Sequence, residues 1–268
     1  MTRLPSVFIS HGSPMHALEP GALGQSWRAL AQSLPRPKAI LVASAHWEAG
    51  LPTLTGAEHP ETVHDFYGFP EPLYRLRYAA PGSPALASRV RELLKQQGDC
   101  AGIDGTRGLD HGAWSQLLHM YPEADIPVVQ LSVQTGLGAA HHVDLGHKLA
   151  PLRDEGVLVM GSGNLTHNLR EAFAAMRGGA SSAPLPYVRE FQQWVKATLE
   201  SGNTEALTDY RRLAPHAARA HPTDEHFLPL HVAYGAALGP KGEPPARAEQ
   251  AYDDIELAAL AMDTWVFH

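Results

Sequence analysis

The chain predicts an α/β fold: a single domain with a mostly parallel central sheet flanked by helices and an active site at the strand C-terminal ends. Three observations lead there. Short apolar runs alternate with segments of helical period along the chain. Several of those runs are continuous in Val, Ile and Leu rather than alternating with polar residues, the pattern of strands covered on both faces. Histidines stand where such runs stop, at His11, His46 and His167, with a fourth, His226, beside a helix start. In open α/β sheets ligands bind outside the carboxyl ends of the strands, so residues at this address converge.

The first strand spans residues 6–10 (SVFIS) and ends in His11-Gly12-Ser13-Pro14, where glycine and proline turn the chain. Apolar residues at helical spacing predict a helix over 22–34, and AILVASA predicts a second strand over 39–45 that delivers His46. Residues 57–81 break this rhythm, being rich in aromatics, proline and turn residues. A loop of that length inside a compact domain is usually functional, so it is expected to be ordered, to cover the strand ends and to help shape a pocket. Helical spacing returns over 84–97 and 113–120. A strand over 126–133, a helix over 139–153, a strand over 157–161 and a helix over 187–199 follow. The segment LGPKGEPP (238–245) reads as a surface loop before a last strand near 259–267. No linker, charge block or repeat divides residues 1–268, which are read as one domain.

A net charge of −7 argues against nucleic acid as a partner, because such binding needs a clustered basic face. The opening MTRLPSVFIS runs into a strand without the apolar segment of a signal peptide, and no stretch approaches the roughly 18 apolar residues of a membrane span. One cysteine, Cys100, excludes an intrachain disulfide. A cytoplasmic protein without membrane or nucleic-acid partners is the expectation.

The 16 histidines nearly match the 21 lysines and arginines in number, which directs attention to imidazole chemistry. His16, His119, His141, His142, His147, His216 and His268 read as scattered or structural. His11 and His46, at two strand ends, are candidate metal ligands, and an open catalytic site wants a third. In HPTDEHFLPL (221–230) Thr223 is placed to cap a helix with His226 at the capping-box position, while Asp224 and Glu225 suit a first helical turn. Either His226 or Glu225 supplies the third ligand on this reading, the latter as part of a two-histidine, one-carboxylate set. In GSGNLTH (161–167) a nucleophilic Ser162 would need glycine at 160, where the chain has Met160, so the hydrolase elbow fails and His167 is left for acid/base work. In Asp110-His111-Gly112, Asp110 suits a helix cap and His111 a group lining the site or hydrogen-bonding bound oxygen. His64-Asp65 carries a weaker signal.

Taken together, HGSPM (11–15), SAHWE (44–48), HDFYGFPEPLY (64–74), YAAPGSPALA (78–87), LDHGAWSQL (109–117), ADIPVVQLSV (124–133), GSGNLTHNLR (161–170) and PTDEHFLPL (222–230) resemble the class III extradiol ring-cleaving dioxygenases of the 4,5-DOPA dioxygenase type. The resemblance runs in order along nearly the whole chain. It implies a non-haem Fe(II) enzyme that opens a catechol with O2 to a muconic semialdehyde. By motif, His11, His46 and His226 would hold the metal, His167 would be the catalytic acid/base, and His111 would assist. The third ligand is Glu in better-known relatives of the wider superfamily, and here His226 stands beside Glu225. The resemblance also implies that Zn(II) can occupy such a site. A Zn(II)-dependent hydrolase and a non-catalytic binding protein that keeps the fold are the alternatives. Recognition of an amino-acid side chain on the catechol would call on charge from Arg75, Arg77 or Arg170.

Overall fold

The computed structural model describes residues 3–177 and 183–268. Strands β1 (Ser6–Ser10), β2 (Ala39–Glu48), β3 (Thr53–Thr55), β4 (Gly102–Asp104), β5 (Val128–Val133), β6 (Val157–Gly163) and β7 (Ala248–Tyr252) are followed by the short β8 (Ile255–Glu256) and β9 (Leu260–Ala261), then β10 (Thr264–Phe267). All but β8 and β9 form one sheet in the order β4-β3-β5-β2-β6-β1-β10-β7. The centre, β5-β2-β6-β1, is parallel throughout, and antiparallel pairing enters only where β3 meets β5, β10 meets β1 and β7 meets β10. Every residue of β1, β5 and β6 is buried, as their unbroken apolar runs predict.

The main helices are α1 (Gly21–Ser33), α2 (Glu71–Arg75), α3 (Pro84–Gln96), α4 (His111–Met120), α5 (Gly138–Leu149), α6 (Pro151–Asp154), α7 (Leu169–Arg177) and α8 (Pro186–Glu200). Short turns α9 (Thr204–Thr208), α10 (Tyr210–Leu213) and α11 (Ala217–Ala220) lead to α12 (Leu228–Ala236). Successive residues of β2 point to opposite faces. Ile40 and Val42 join Trp27 of α1 and Trp114 of α4 in one core, while Leu41 and Ala43 join Leu86 and Val90 of α3 and Leu145 and Leu149 of α5 on the other. The helix expected over 139–153 is broken, because Pro151 lacks the amide proton a continuous helix needs and starts a new turn. Strands β3, β4, β7 and β8 were not expected, and the last strand expected near 259–267 is divided into β9 and β10. Most are short or at the sheet margin, and β7 alternates buried-side and exposed residues without an apolar run. No described helix is long and apolar enough to cross a membrane.

Two strands run further than their apolar stretches suggest, and both extensions matter for the site. β2 continues through His46 to Glu48, and β6 takes in Gly161, Ser162 and Gly163, which the sequence places partly in a loop. The two glycines are there for close approach. A Cβ on Gly161 would lie 2.0 Å from the Pro229 carbonyl oxygen, and one on Gly163 would lie 2.1 Å from that of His226. Their absence of side chains lets the segment carrying His226 rest directly on β6, where Asn164 N–H donates to the His226 carbonyl at 2.9 Å.

Gly161→Ala should therefore lower stability by about 1–3 kcal/mol, the usual cost of overpacking a close-packed interior. Urea unfolding followed by circular dichroism measures it, and a variant as stable as the parent would contradict the close-approach reading.

Candidate metal centre

Five imidazoles meet at the carboxyl end of the parallel strands. His11 follows directly on β1, His46 ends β2's buried stretch, His111 opens α4, His167 lies between β6 and α7, and His226 precedes α12 by two residues. His11, His111 and His226 are buried, and His46 and His167 partly so. The His11 and His46 rings have centroids 4.9 Å apart, with His226 at 5.4 Å from the first and 4.9 Å from the second. The Nε2 atoms of His11 and His46 approach to 3.0 Å. His111 lies 3.9 Å from His46, and His167 stacks on His226 at 3.4 Å with the planes 13° apart. Potential donor atoms form two adjoining groups, each within 4.8 Å: His11 with His46 and His111, and His167 with Glu225 and His226.

Hydrogen bonds determine which ring nitrogen is free. Ser162 Oγ lies 2.9 Å from His11 Nδ1. That hydroxyl donates its proton to the Gly112 carbonyl and accepts from Gln116 Nε2 at 3.1 Å, so it can only accept from His11. His11 is thus held with Nδ1 protonated and Nε2 bare, the arrangement that suits a ligand. His226 Nδ1 is held by Glu225 Oε1 at 2.9 Å, and His46 Nδ1 faces Asp65 Oδ2 at 3.5 Å. Asp65 belongs to the long loop. Its Oδ1 accepts the His111 backbone N–H at 2.9 Å and lies 3.0 Å from His111 Nδ1, so the loop borders the site as its composition suggests.

Two expected caps are not made. Asp110 stands at the N-cap of α4 but its side chain turns into the core, where its carboxylate accepts from Ser44 Oγ at 2.7 Å, Arg107 Nη2 at 3.1 Å and Gln130 Nε2. Those partners outbid the helix amides for a fully buried carboxylate. Thr223 bonds Glu225 Oε1 at 3.0 Å instead of capping a helix, because α12 starts only at Leu228 with Phe227 at its N-cap.

Burial, reinforced by the neighbouring imidazoles, holds His11, His46 and His226 far below the ordinary histidine range. Neutral imidazole is the form that binds a metal. Burial also pushes His167 down to about 4, opposed by Glu225, whose Oε1 lies 3.9 Å from Nδ1. Asp65 is ionised: burial opposes this, but hydrogen bonding and charge from His111 outweigh it.

The scattered histidines are elsewhere. His16 meets Glu256, His119 reaches the His16 carbonyl, His216 meets Glu190, and His142 donates to the Gly138 carbonyl while accepting from Gln134 N–H. His64 bonds the Leu76 carbonyl within the long loop. Of the three arginines, Arg75 pairs with Glu71 and Arg77 donates to the Tyr74 and Leu76 carbonyls, whereas Arg170 lines a cleft of about 690 Å³ that also touches His167 and Glu225. Ser162 and Asp65 lie in motifs the sequence singled out, but their positioning roles depend on partners at least 46 residues away in the chain, which local sequence does not reveal.

A family description, the catalytic LigB subunit of aromatic ring-opening dioxygenase, matches residues 5–254. The chain belongs to this family. It is 48% identical over 235 residues to a 4,5-DOPA dioxygenase extradiol of Beta vulgaris, covering 86% of this chain and 85% of the relative. It is 43% identical over 268 residues to a protein of the same name from Escherichia coli K12, covering 97% and 93%. A solved structure of an uncharacterized protein from Escherichia coli K12 superimposes with a TM-score of 0.82 at 38% identity, covering 99% of this chain and 100% of that one. The protein is thus an extradiol ring-opening dioxygenase, and its histidine cluster fits the metal dependence of the family.

The depressed histidines make the metal-free dioxygenase acid-sensitive. His142 and His221 are pushed by burial to about 3, and His167 and His231 to about 4. Unfolded histidines protonate near 6.5, so between about pH 6.5 and 4 the unfolded chain binds protons the folded one refuses. Each contributes a loss of up to roughly 1.4 kcal/mol per pH unit in that window. Buried Asp110 and Asp263, raised by desolvation, act oppositely but are fewer. Urea unfolding at pH 7.5, 6.5, 5.5 and 5.0 should show stability near its plateau at 7.5 and falling steeply below 6.5. A flat profile would contradict the buried-neutral assignment.

Proposed function

We propose that this protein is an Fe(II)-dependent extradiol dioxygenase that opens a catechol beside its two hydroxyls, placing both atoms of O2 in a muconic semialdehyde. The observation that supports it most directly is the tethering of three imidazoles: His11, His46 and His226 each turn Nδ1 to an oxygen of Ser162, Asp65 or Glu225, which leaves Nε2 for a metal. Three imidazoles fit Fe(II) and Zn(II) alike, and leave positions for substrate. Glu225 is then the group that orients His226 rather than a ligand. Fe(II) held by His11, His46 and His226 would supply redox and Lewis-acid chemistry toward the catechol and O2.

The chain's own residues supply the rest. His167 is neutral near pH 7 and stands beside the centre with Glu225 at 3.9 Å, so it can take the proton of the second hydroxyl while that carboxylate stabilises the resulting imidazolium. The same ring returns a proton later in the reaction. His111, whose backbone N–H is held by Asp65, stands beside His46, which supports a role in hydrogen-bonding substrate oxygen. A catechol and O2 are the small-molecule partners of this reading, and the single cysteine accords with a cytoplasmic setting.

The test is anaerobic Fe(II) loading followed by O2 uptake with a panel of catechols, where stoichiometric uptake and a yellow semialdehyde are expected. His167→Ala should keep metal content near the parent's and lower turnover by roughly 10²–10⁴-fold, the usual size of a general acid/base contribution. His11→Ala should lose the metal. Loss of metal in the His167 variant, or full activity with metal bound, contradicts its role, and hydrolysis without O2 consumption contradicts the reading as a whole.

A further inference from the structure

His11, His46 and His226 each face an oxygen through Nδ1, but no hydrogen bond among the described residues holds the His167 ring, and Glu225 Oε1 stands off at 3.9 Å. The place of that ring is therefore set by the backbone that carries it and by its stacking on His226. The backbone is gripped from two sides. On one, the His167 N–H donates to the Ala220 carbonyl at 2.9 Å, and Asn168 Nδ2 donates to that of Arg219 at 2.8 Å. On the other stands the fully buried Thr166, whose hydroxyl donates to the Ala259 carbonyl at 2.9 Å and accepts the Ala261 N–H at 2.7 Å. One side chain thus stands where a neighbouring strand's peptide group would, and it joins the segment before α7 to the β8–β9 hairpin.

The hairpin is held in an uncommon shape. Its turn places Leu257 and Ala258 at φ 47° and 60°, in the left-handed region where glycine or asparagine would be usual. Such a backbone persists only where its surroundings over-determine it. Here Glu256 Oε2 meets His16 Nε2 at 3.0 Å, the Ala258 carbonyl accepts the Leu185 N–H at 2.9 Å, and the Asp254 carbonyl accepts that of Met262 at 2.8 Å. Fastened at tip and base, the hairpin offers Thr166 a fixed acceptor and a fixed donor. From this arrangement we infer that Thr166 is a positioning residue of the ring-opening reaction, holding the His167 imidazole where it can exchange a proton with the catechol. This rests on the reading of His167 as the acid/base group. A valine at 166 would keep the shape of threonine but leave the Ala259 carbonyl and the Ala261 N–H buried without a partner, so the hairpin and the His167 backbone would part. Serine would keep both bonds.

The experiment uses Fe(II)-loaded protein with 3,4-dihydroxyphenylalanine as the probe, together with crystal structures of the metal-free chain. Thr166→Val should lower kcat by about 10- to 100-fold, the effect of misplacing a reacting group by about 1 Å, and leave KM within about twofold. Iron content should match the parent's, and Thr166→Ser should recover most of kcat. Combined with His167→Ala, Thr166→Val should cause no further loss, because both changes remove one function. In the crystal, the His167 ring of Thr166→Val should have moved off His226 while His11 and His46 keep their places. Should Thr166→Val not fold, Thr166→Ala takes its place under the same criteria. An unchanged kcat, a serine variant as slow as the valine one, a further loss on top of His167→Ala, or a ring still stacked on His226 overturns the inference. A His167→Ala enzyme as active as the parent, or a parent that opens no ring, defeats the acid/base reading instead, and the ring position in the Thr166→Val crystal then decides alone whether Thr166 holds it.

Discussion

Five imidazoles share one end of this sheet, and burial holds four of them, His11, His46, His167 and His226, below the ordinary histidine range. Ring centroids as close as 3.4 and 3.9 Å leave no room for two like charges, and burial already disfavours the protonated form. The fold meets that constraint with oxygen acceptors beside the rings, one a hydroxyl and two carboxylates. Ser162 on β6 serves His11, Glu225 serves His226, and Asp65 lies between His46 and His111. Each tether turns a particular nitrogen inward, so a set of flexible side chains becomes a fixed group of donors. A metal entering such a site displaces no proton from the ring nitrogens it binds.

Beneath the rings, the buried Asp110 joins strands and helix. It accepts from Ser44 on β2 and Gln130 on β5, and its own N–H donates to Gln130 Oε1 at 3.1 Å, so the start of α4 is pinned to the sheet centre. Arg107 completes the group, bonding Asp110 at 3.1 Å and the His46 carbonyl at 3.3 Å while lying over Trp47. The position of His111 beside His46 follows from that anchor. On the opposite side, the bare backbone of Gly161 and Gly163 admits the first turn of α12 and the segment leading into it, which sets the position of His226. Two packing devices, one polar and one steric, therefore position His111 and His226 at this end of the sheet.

Much of this was legible in the chain. The unbroken apolar runs of β1, β5 and β6 reported burial on both faces, and the strand-end address of His11 and His46 reported convergence. The aromatic, proline-rich loop over 57–81 proved to border the site through Asp65. What stayed hidden was whatever depends on distant partners. The three-residue strands β3 and β4 are defined by pairing, not by an apolar pattern, and Ser162 is an acceptor for His11 only because β1 and β6 are neighbours. Asp110 and Thr223 sit in cap-like local sequence, yet buried or acidic partners elsewhere claim their side chains. Local rules failed where the site begins, which is where tertiary contacts outweigh helix-end preferences of about 1 kcal/mol.

The central claim is that His226, and not His111 or Glu225, completes the metal-binding face with His11 and His46. X-ray absorption at the metal edge of the Fe(II)-loaded protein decides it by counting imidazoles. The account predicts three histidine ligands at roughly 2.0–2.2 Å in the parent, two in His226→Ala, and three in both His111→Ala and Glu225→Gln. A histidine count that falls in His111→Ala and not in His226→Ala would contradict it.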